Sequence, residues 1–267
     1  MPETRQKIVI HAGFHKTGTT TVQAFLRANG PILWPVMAIG LRWQLRDVRA
    51  AARAFSSWRD PFSLARFGHR FGDYLQGLNL APGRKLCLSS EELAGHIPGH
   101  EHLVDYSATP QLMREIADVA QARFRDRLDL TFYFSTRAAA DWIDSAYWER
   151  VKTARMVMDL EEFRARYRHA GDLAPIVEAV RARVAPHPVV STALEDTRDL
   201  ALGPATPLVD LLDLTPARRA ALKPHRTENA RRSDEILHAC LKINRSPRSD
   251  SDVRAAKMAI LNPPDSA

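Results

Sequence analysis

Lys7-Ile8-Val9-Ile10-His11-Ala12-Gly13-Phe14-His15-Lys16-Thr17-Gly18-Thr19-Thr20-Thr21 is the stretch whose reading decides the fold. Lys7 to His11 is a short apolar run rich in β-branched residues, which predicts a buried strand. Gly13 to Gly18 reads as a loop. Val22, Phe25 and Leu26 then recur at helical spacing, predicting a helix over 19–28 that Asn29-Gly30-Pro31 stops. A strand, a glycine-containing loop and a helix in this order make an anion-binding unit. Gly13 and Gly18 let the backbone turn tightly and approach an anion closely. Amide N–H groups of Phe14, His15 and their neighbours can converge on phosphate-like oxygens, and the helix start adds its positive dipole end. Lys16 supplies a mobile positive charge, and the hydroxyls of Thr17, Thr19, Thr20 and Thr21 supply further donors.

Outward from this unit, Lys85 to Ser90 predicts a second strand, ending in Ser89-Ser90-Glu91-Glu92, and Leu128 to Ser135 a third, with Arg137 just beyond it. Pro188 to Thr192 predicts a fourth, at an edge. Helical patterns occupy 44–55, 62–78, 112–120, 138–152, 160–167 and 173–184, with shorter ones at 206–213 and 233–244. Residues 95–110, rich in Gly, His and Pro, read as a loop. Strands alternating with helices predict an α/β, three-layer fold: a central parallel sheet flanked by helices. Ligands of such folds sit at the carboxyl ends of the strands. The polar segments 13–21, 89–92 and 135–145 all follow predicted strand ends, so a common site is expected. One domain is expected over 1–245, followed by a polar, partly disordered tail over 246–267.

Composition excludes several classes. The chain has 267 residues, of which 45% are hydrophobic and 26% charged, as in ordinary globular proteins and unlike disordered or collagen-like chains. The longest apolar stretch, Pro31 to Leu41, is too short to span a bilayer. No N-terminal segment pairs a basic start with an apolar core and a small-residue cleavage site. Cys87 and Cys240 form no local motif. A cytoplasmic, reducing setting is expected. The net charge of +7 comes from 38 basic and 31 acidic residues, but clusters such as Arg123-Phe124-Arg125-Asp126-Arg127 are interrupted. Nucleic acid is not an expected partner.

The loop is not an ordinary ATP-binding one. That pattern ends in Gly-Lys-Ser/Thr, whereas here Lys16 precedes Gly18, and no apolar strand ends in a clear magnesium-binding aspartate. A nucleotide-dependent kinase stays as an alternative. The order Lys16-Thr17-Gly18-Thr19-Thr20 instead resembles the 5′-phosphosulfate loop of sulfotransferases that use 3′-phosphoadenosine 5′-phosphosulfate (PAPS). Members of that family place an arginine after a strand and a serine eight positions later, both on the 3′-phosphate, and Arg137 and Ser145 have this spacing. Arginine offers phosphate oxygens a planar fork of donors, and the serine adds one more. Tyr147 to Lys152, Leu160 to Phe163, Leu208 to Leu212 and Asn229 to Ser233 resemble bacterial, carbohydrate-directed members, so the resemblance covers most of 7–245.

The resemblance implies a P-loop-like sulfotransferase fold with PAPS as donor and 3′,5′-adenosine bisphosphate as product. It implies phosphosulfate binding by Gly13 to Thr21, 3′-phosphate binding by Arg137 and Ser145, and catalysis by Lys16. Glu91 is the expected general base, with Glu92 in reserve. The acceptor would be a hydroxyl or amine on a carbohydrate or glycolipid, in a pocket from 31–75 and 93–110. No metal is expected, because a sulfuryl group carries less charge than a phosphoryl dianion. One departure stands out: the family's glycine-rich basic loop near the C-terminus is missing, and Lys223-Pro224-His225-Arg226 through Asn229 stand in its place. A non-catalytic anion-binding protein of the same fold is the other reading.

Bland roles are expected elsewhere. His15 reads as a hydrogen-bonded structural residue rather than one facing the acceptor. His96, His100 and His102 read as incidental loop residues rather than zinc ligands. Trp142 and Trp148 read as core rather than as a sugar or adenine platform.

Overall fold

The computed structural model describes residues 5–100, 103–225 and 233–262. Five strands form one sheet: β1 (Gln6–His11), β2 (Met37–Gly40), β3 (Lys85–Ser89), β4 (Leu128–Thr136) and β5 (Val189–Ala193), in spatial order β2-β3-β1-β4-β5. All four pairings are parallel. The helices are α1 (Thr19–Ala28), α2 (Gly30–Leu33), α3 (Arg46–Trp58), α4 (Pro61–Gln76), α5 (Thr109–Phe124), α6 (Ala139–Thr153), α7 (Leu160–Tyr167), α8 (Ala174–Val184), α9 (Thr206–Asp210), α10 (Pro216–Ala221), α11 (Asp234–Asn244) and α12 (Asp250–Leu261). The chain is therefore an α/β protein with an all-parallel central sheet flanked by helices.

Alternation along the strands divides the core. Ile8, Ile10, Leu86, Leu88, Leu130, Phe132 and Phe134 belong to the larger apolar layer, with side chains from α3 to α8 and α11. Val9, Cys87 and Tyr133 belong to the second, with Val22, Phe25 and Leu26 of α1 and Leu208 and Val209 of α9. Each fully buried Val, Leu or Phe contributes about 1.5–3 kcal/mol. Because side chains alternate with period two, His11, Ser89 and Ser135 fall on the α1 side, at the carboxyl ends of the three central strands. The register pairs His11 with Ser89 on one side and with Tyr133 on the other. Polar residues thus collect under the loop that leaves β1.

The short helices α2 and α10 are not expected from the sequence, and two further elements differ from it more consequentially. Met37–Gly40 forms an edge strand beside β3, within a stretch whose continuous apolar character gives no strand period. Asp250–Leu261, expected as polar tail, is a helix packed on α11. Ser249 caps it by accepting from the Asp252 N–H at 3.2 Å, and Asp250 and Asp252 sit in its positive first turn. Val253 and Lys257, one turn apart, are its buried residues.

Candidate functional site

The loop after β1 extends the sheet before it turns. Ala12 N–H donates to Tyr133 O at 3.1 Å and Phe14 N–H to Ser135 O at 3.4 Å. Beneath it lies a buried polar chain. His11 Nδ1 is 2.8 Å from Ser89 Oγ, and His11 Nε2 is 3.4 Å from Ser135 Oγ. Ser135 Oγ is in turn 2.7 Å from Thr17 Oγ1, which donates to Phe14 O at 2.6 Å. Burial pushes the His11 imidazole down to about 3, so it is neutral at physiological pH. Gly13 runs directly over this chain. A Cβ there would collide with Ser135 Oγ and stand 2.8 Å from His11 Nε2.

Three consecutive loop carbonyls have side-chain donors. Thr17 Oγ1 donates to Phe14 O, Trp142 Nε1 to His15 O at 2.7 Å, and Arg137 Nη1 to Lys16 O at 3.2 Å. A trans peptide sets each carbonyl antiparallel to the next residue's N–H. Anchoring these three carbonyls therefore turns the N–H groups of His15, Lys16 and Thr17 the other way. Lys16 has φ +66°, a left-handed conformation costing a residue with a Cβ about 1 kcal/mol or more, and the anchors hold it there. Gly18 follows at φ +89° and begins α1. Helix α1 has no side-chain N-cap and no acidic residue in its first turn. Its positive end therefore carries no side-chain acceptor and no acidic side chain of its own first turn.

A cleft of about 590 Å³ opens at this point. His15, Lys16 and Gly18 to Thr21 form one wall. Helix α6 forms the opposite wall with Asp141, Asp144, Ser145, Trp148, Glu149 and Lys152, a helical repeat of threes and fours. Arg137 and Glu91 also line it, and Leu194, Pro204 and Leu237 close the sides. Arg137 presents a buried Nε with no partner among the described residues. The structure thus brings Lys16, Thr19 to Thr21, Glu91, Arg137 and Ser145 to one cavity. Gly13, Phe14 and Thr17 lie behind it as scaffold; Phe14 is packed against Tyr106 and Phe134. No residue of 31–75 or 93–110 is among the described residues lining it.

The adjacent glutamates separate. Glu91 opens a 3₁₀ turn after β3 and accepts from Gln23 Nε2 at 2.8 Å at the cleft wall. Glu92 is ion-paired with Arg49 and, at 2.6 Å, with Arg53. Burial would raise the Glu92 carboxyl, but the two guanidiniums outweigh it and hold it below its ordinary value. Glu92 is a structural anchor. His15 is both hydrogen-bonded and on the cleft: Nδ1 lies 3.0 Å from Tyr106 Oη, and the residue is among those lining the cavity. Burial lowers the His15 imidazole against the pull of Glu91, Glu92 and Glu149.

Trp142 is fully buried, as expected of core, yet its indole N–H anchors the loop. Trp148 is 7% exposed, lines the cleft and carries a buried Nε1 with no partner among the described residues. His96 and His100 stack at 4.3 Å despite the intervening Pro98-Gly99, inside the loop rather than along a helix face. Among the described residues no three His, Cys, Asp or Glu side chains gather as a metal site. His102 and the segment Arg226 to Asn229 lie outside the described residues. Lys223, three residues before that segment, pairs through its backbone with the side-chain amide of Asn29 just after α1: its N–H donates to Asn29 Oδ1 at 2.9 Å, and its carbonyl accepts from Asn29 Nδ2 at 3.0 Å.

Sequence reasoning missed Glu149, Lys152, Tyr106 and Trp142 as parts of the site. The helical repeat from Asp141 to Lys152 carries a signal for the first two. Tyr106 and the Leu194 and Pro204 walls have none, because only the tertiary fold brings them here. Among the described residues no helix is long and apolar enough to cross a membrane. No protein-family model matches the chain, and no curated protein matches it. Among solved structures the chain is similar to a sulfotransferase from Alicyclobacillus acidocaldarius, at 15% sequence identity and a TM-score of 0.49, with 97% of this chain and 94% of that chain covered.

Proposed function

We propose that this chain is a PAPS-dependent sulfotransferase acting on a hydroxyl or amine acceptor. The observation that carries the proposal is the convergence of two anion motifs 120 residues apart: the uncapped start of α1 with Lys16, and the Arg137–Ser145 pair, share one cleft. Its volume falls within the roughly 300–1,000 Å³ of small-molecule sites. The orphaned Arg137 Nε is a donor awaiting an acceptor, as a phosphate oxygen would be. These residues fit an elongated anion with phosphate groups at both ends.

PAPS, when bound, supplies an activated sulfuryl group on a phosphate leaving group. Arg137 and Ser145 hold the remote 3′-phosphate, and that binding energy orients the reacting end. Lys16, the loop N–H groups and the first turn of α1 hold the 5′ end and stabilise negative charge there. Glu91 takes the acceptor's proton at a carboxylate oxygen, kept in place by Gln23. A carbohydrate or glycolipid acceptor rests on the sequence resemblance, and turnover without a divalent metal on the lower charge of a sulfuryl group than of a phosphoryl dianion. We place the protein in a reducing cytoplasm, in keeping with free, buried Cys87 and Cys240.

Thermal unfolding with 3′,5′-adenosine bisphosphate, 5′-AMP and ATP–Mg²⁺ side by side tests the donor. Ligand at a hundredfold excess over its Kd adds about 2.7 kcal/mol, a rise of roughly 5–10 °C for a chain of this size. The expected result is a large rise with the bisphosphate, little with AMP, and loss of the rise in Arg137→Ala. A rise with ATP–Mg²⁺ alone would replace the proposal with a kinase. Sulfuryl transfer from labelled PAPS to a panel of saccharides and amines, in EDTA and with Lys16→Ala as control, separates an enzyme from a non-catalytic anion binder.

A further inference from the structure

One charge arrangement in the cleft is not needed by either anion motif. A single oxygen, Glu149 Oε2, accepts from Lys16 Nζ at 3.1 Å and from Lys152 Nζ at 3.0 Å. All three residues line the cleft, and their side chains are 28%, 30% and 26% exposed in the order Lys16, Glu149, Lys152. Burial alone would raise the Glu149 carboxyl, yet the two ammonium groups hold it below its ordinary value.

We propose that Glu149 and Lys152 form a latch that holds the Lys16 ammonium in place and releases it to an entering anion. The latch rests on the reading above, in which Lys16 serves an anionic donor. A lysine bonded to a carboxylate must leave it to follow a phosphate. If Lys16 were the sole partner, its departure would strand a partly buried carboxylate, which is costly. Lys152 on the same oxygen removes that penalty, because Glu149 stays neutralised when Lys16 swings away. The two bonds are unequal in a way that suits this. Glu149 and Lys152 are three apart on α6, a spacing that keeps the pair together. Lys16 has no such local tie to Glu149: its backbone is held by the loop anchors while its side chain reaches across the cleft, so its bond is the one an entering anion competes for. Glu149 and Lys152 are therefore positioning residues that act through Lys16.

The competing possibility is that Lys152 touches the anion itself, and a double-mutant cycle separates the two. Calorimetric affinities for 3′,5′-adenosine bisphosphate and for inorganic sulfate would be measured on wild type, Glu149→Gln, Lys152→Met and the double variant. Glu149→Gln frees Lys16 and should tighten both anions about two- to fivefold, the scale of a partly exposed ion pair. A purely structural carboxylate would give a loss instead. Lys152→Met should weaken binding about three- to tenfold, and Lys152→Arg should retain wild-type affinity. In the double variant no carboxylate is left to strand, so affinity should return to within about twofold of Glu149→Gln. A Lys152→Met loss that persists in the Glu149→Gln background would overturn the latch, as would a Glu149→Gln affinity equal to wild type. If wild type binds sulfate but not the bisphosphate, the donor assignment fails while the sulfate series still judges the latch. Binding of neither anion overturns both.

Discussion

Trp142 Nε1 donates to the main-chain carbonyl of His15 at 2.7 Å, so the helix carrying the second anion motif is fastened to the loop carrying the first. The two motifs are remote in sequence, and the proposed function assigns each to one end of the donor. Their separation is fixed by this bond and by Arg137 Nη1 on the neighbouring Lys16 carbonyl at 3.2 Å. Trp142, itself fully buried, thus sets the span between the two motifs.

Trp142→Phe keeps an aromatic ring in the core but leaves the His15 carbonyl without its donor. An orphaned buried acceptor costs about 1–3 kcal/mol, or a fall in Tm of roughly 2–10 °C. Bisphosphate affinity should fall about tenfold, since the loop N–H groups lose their fixed direction. Trp148→Phe is the control. Its Nε1 has no partner among the described residues, so its Tm should move less. Equal losses in both variants, by differential scanning calorimetry and titration, would reduce Trp142 to packing alone.

Gly13→Ala should disable the loop through sterics. The added Cβ meets Ser135 Oγ and His11 Nε2, both members of the polar chain that supports Thr17. Overpacking of this kind costs about 1–3 kcal/mol. The expected outcome is a lower Tm with loss of the bisphosphate-induced rise. Gly18→Ala should act similarly for a different reason: its φ of +89° disfavours any side chain, and the new Cβ would lie 2.7 Å from Leu194 Cδ1. A Gly13→Ala protein that keeps the full ligand-induced rise would show that the loop can shift without loss of its site.

The legibility of the site in the sequence follows from where its partners lie. Gly13 to Thr21 is readable because strand, turn and helix succeed one another within one short stretch, each with its own period. Arg137 and Ser145 are readable only because their spacing of eight resembles the family's 3′-phosphate pair, a spacing that one strand end and the next helix keep local. Glu149 is only four residues beyond Ser145, but its meaning depends on Lys16, which no local pattern connects to it. Strand β2 is hidden because four apolar residues inside a longer apolar run fit a helix as well as a strand. Helix α12 is hidden because one of its two buried residues is Lys257, whose burial depends on carbonyls a hundred residues earlier in the chain. Glu91 is set above Glu92 in sequence only by the family resemblance, and the structure separates them through Arg49 and Arg53 of α3, which pair with Glu92.

That separation predicts opposite phenotypes for neighbouring substitutions. Glu91→Gln should lower sulfuryl transfer about 10²–10⁴-fold, the usual contribution of a general base, with bisphosphate affinity within about twofold of wild type. Glu92→Gln should act on stability. The folded-state Glu92 carboxyl lies below the ordinary value of 4.5. Its stabilising contribution is therefore fully present above 4.5 and is lost as pH falls through the depressed value. Urea unfolding between pH 3 and 7 should show a shallower acid loss in Glu92→Gln than in wild type. Glu149 is depressed in the same direction, so some acid dependence remains. Normal turnover in Glu91→Gln with lost turnover in Glu92→Gln would reverse the assignment.

Lys257 supports the site from its far side. It is 5% exposed, and its Nζ donates to Val151 O at 3.0 Å and Ala154 O at 2.6 Å, at the end of the helix that carries Ser145, Glu149 and Lys152. A cation is favoured there by the helix dipole and by the last, unpaired carbonyls. Asn244 Nδ2 also donates to Val151 O, at 3.0 Å, so Lys257→Met chiefly deprives Ala154. The expected cost is about 1–3 kcal/mol, a fall in Tm of roughly 2–10 °C. Bisphosphate affinity below the transition should change less than about threefold, because α6 remains tied to the loop through Trp142 and the His15 carbonyl. Thermal unfolding with and without the bisphosphate reads both quantities. An unchanged Tm would mean that α12 contributes nothing to α6, and a large loss of affinity at unchanged Tm would make Lys257 part of the binding site.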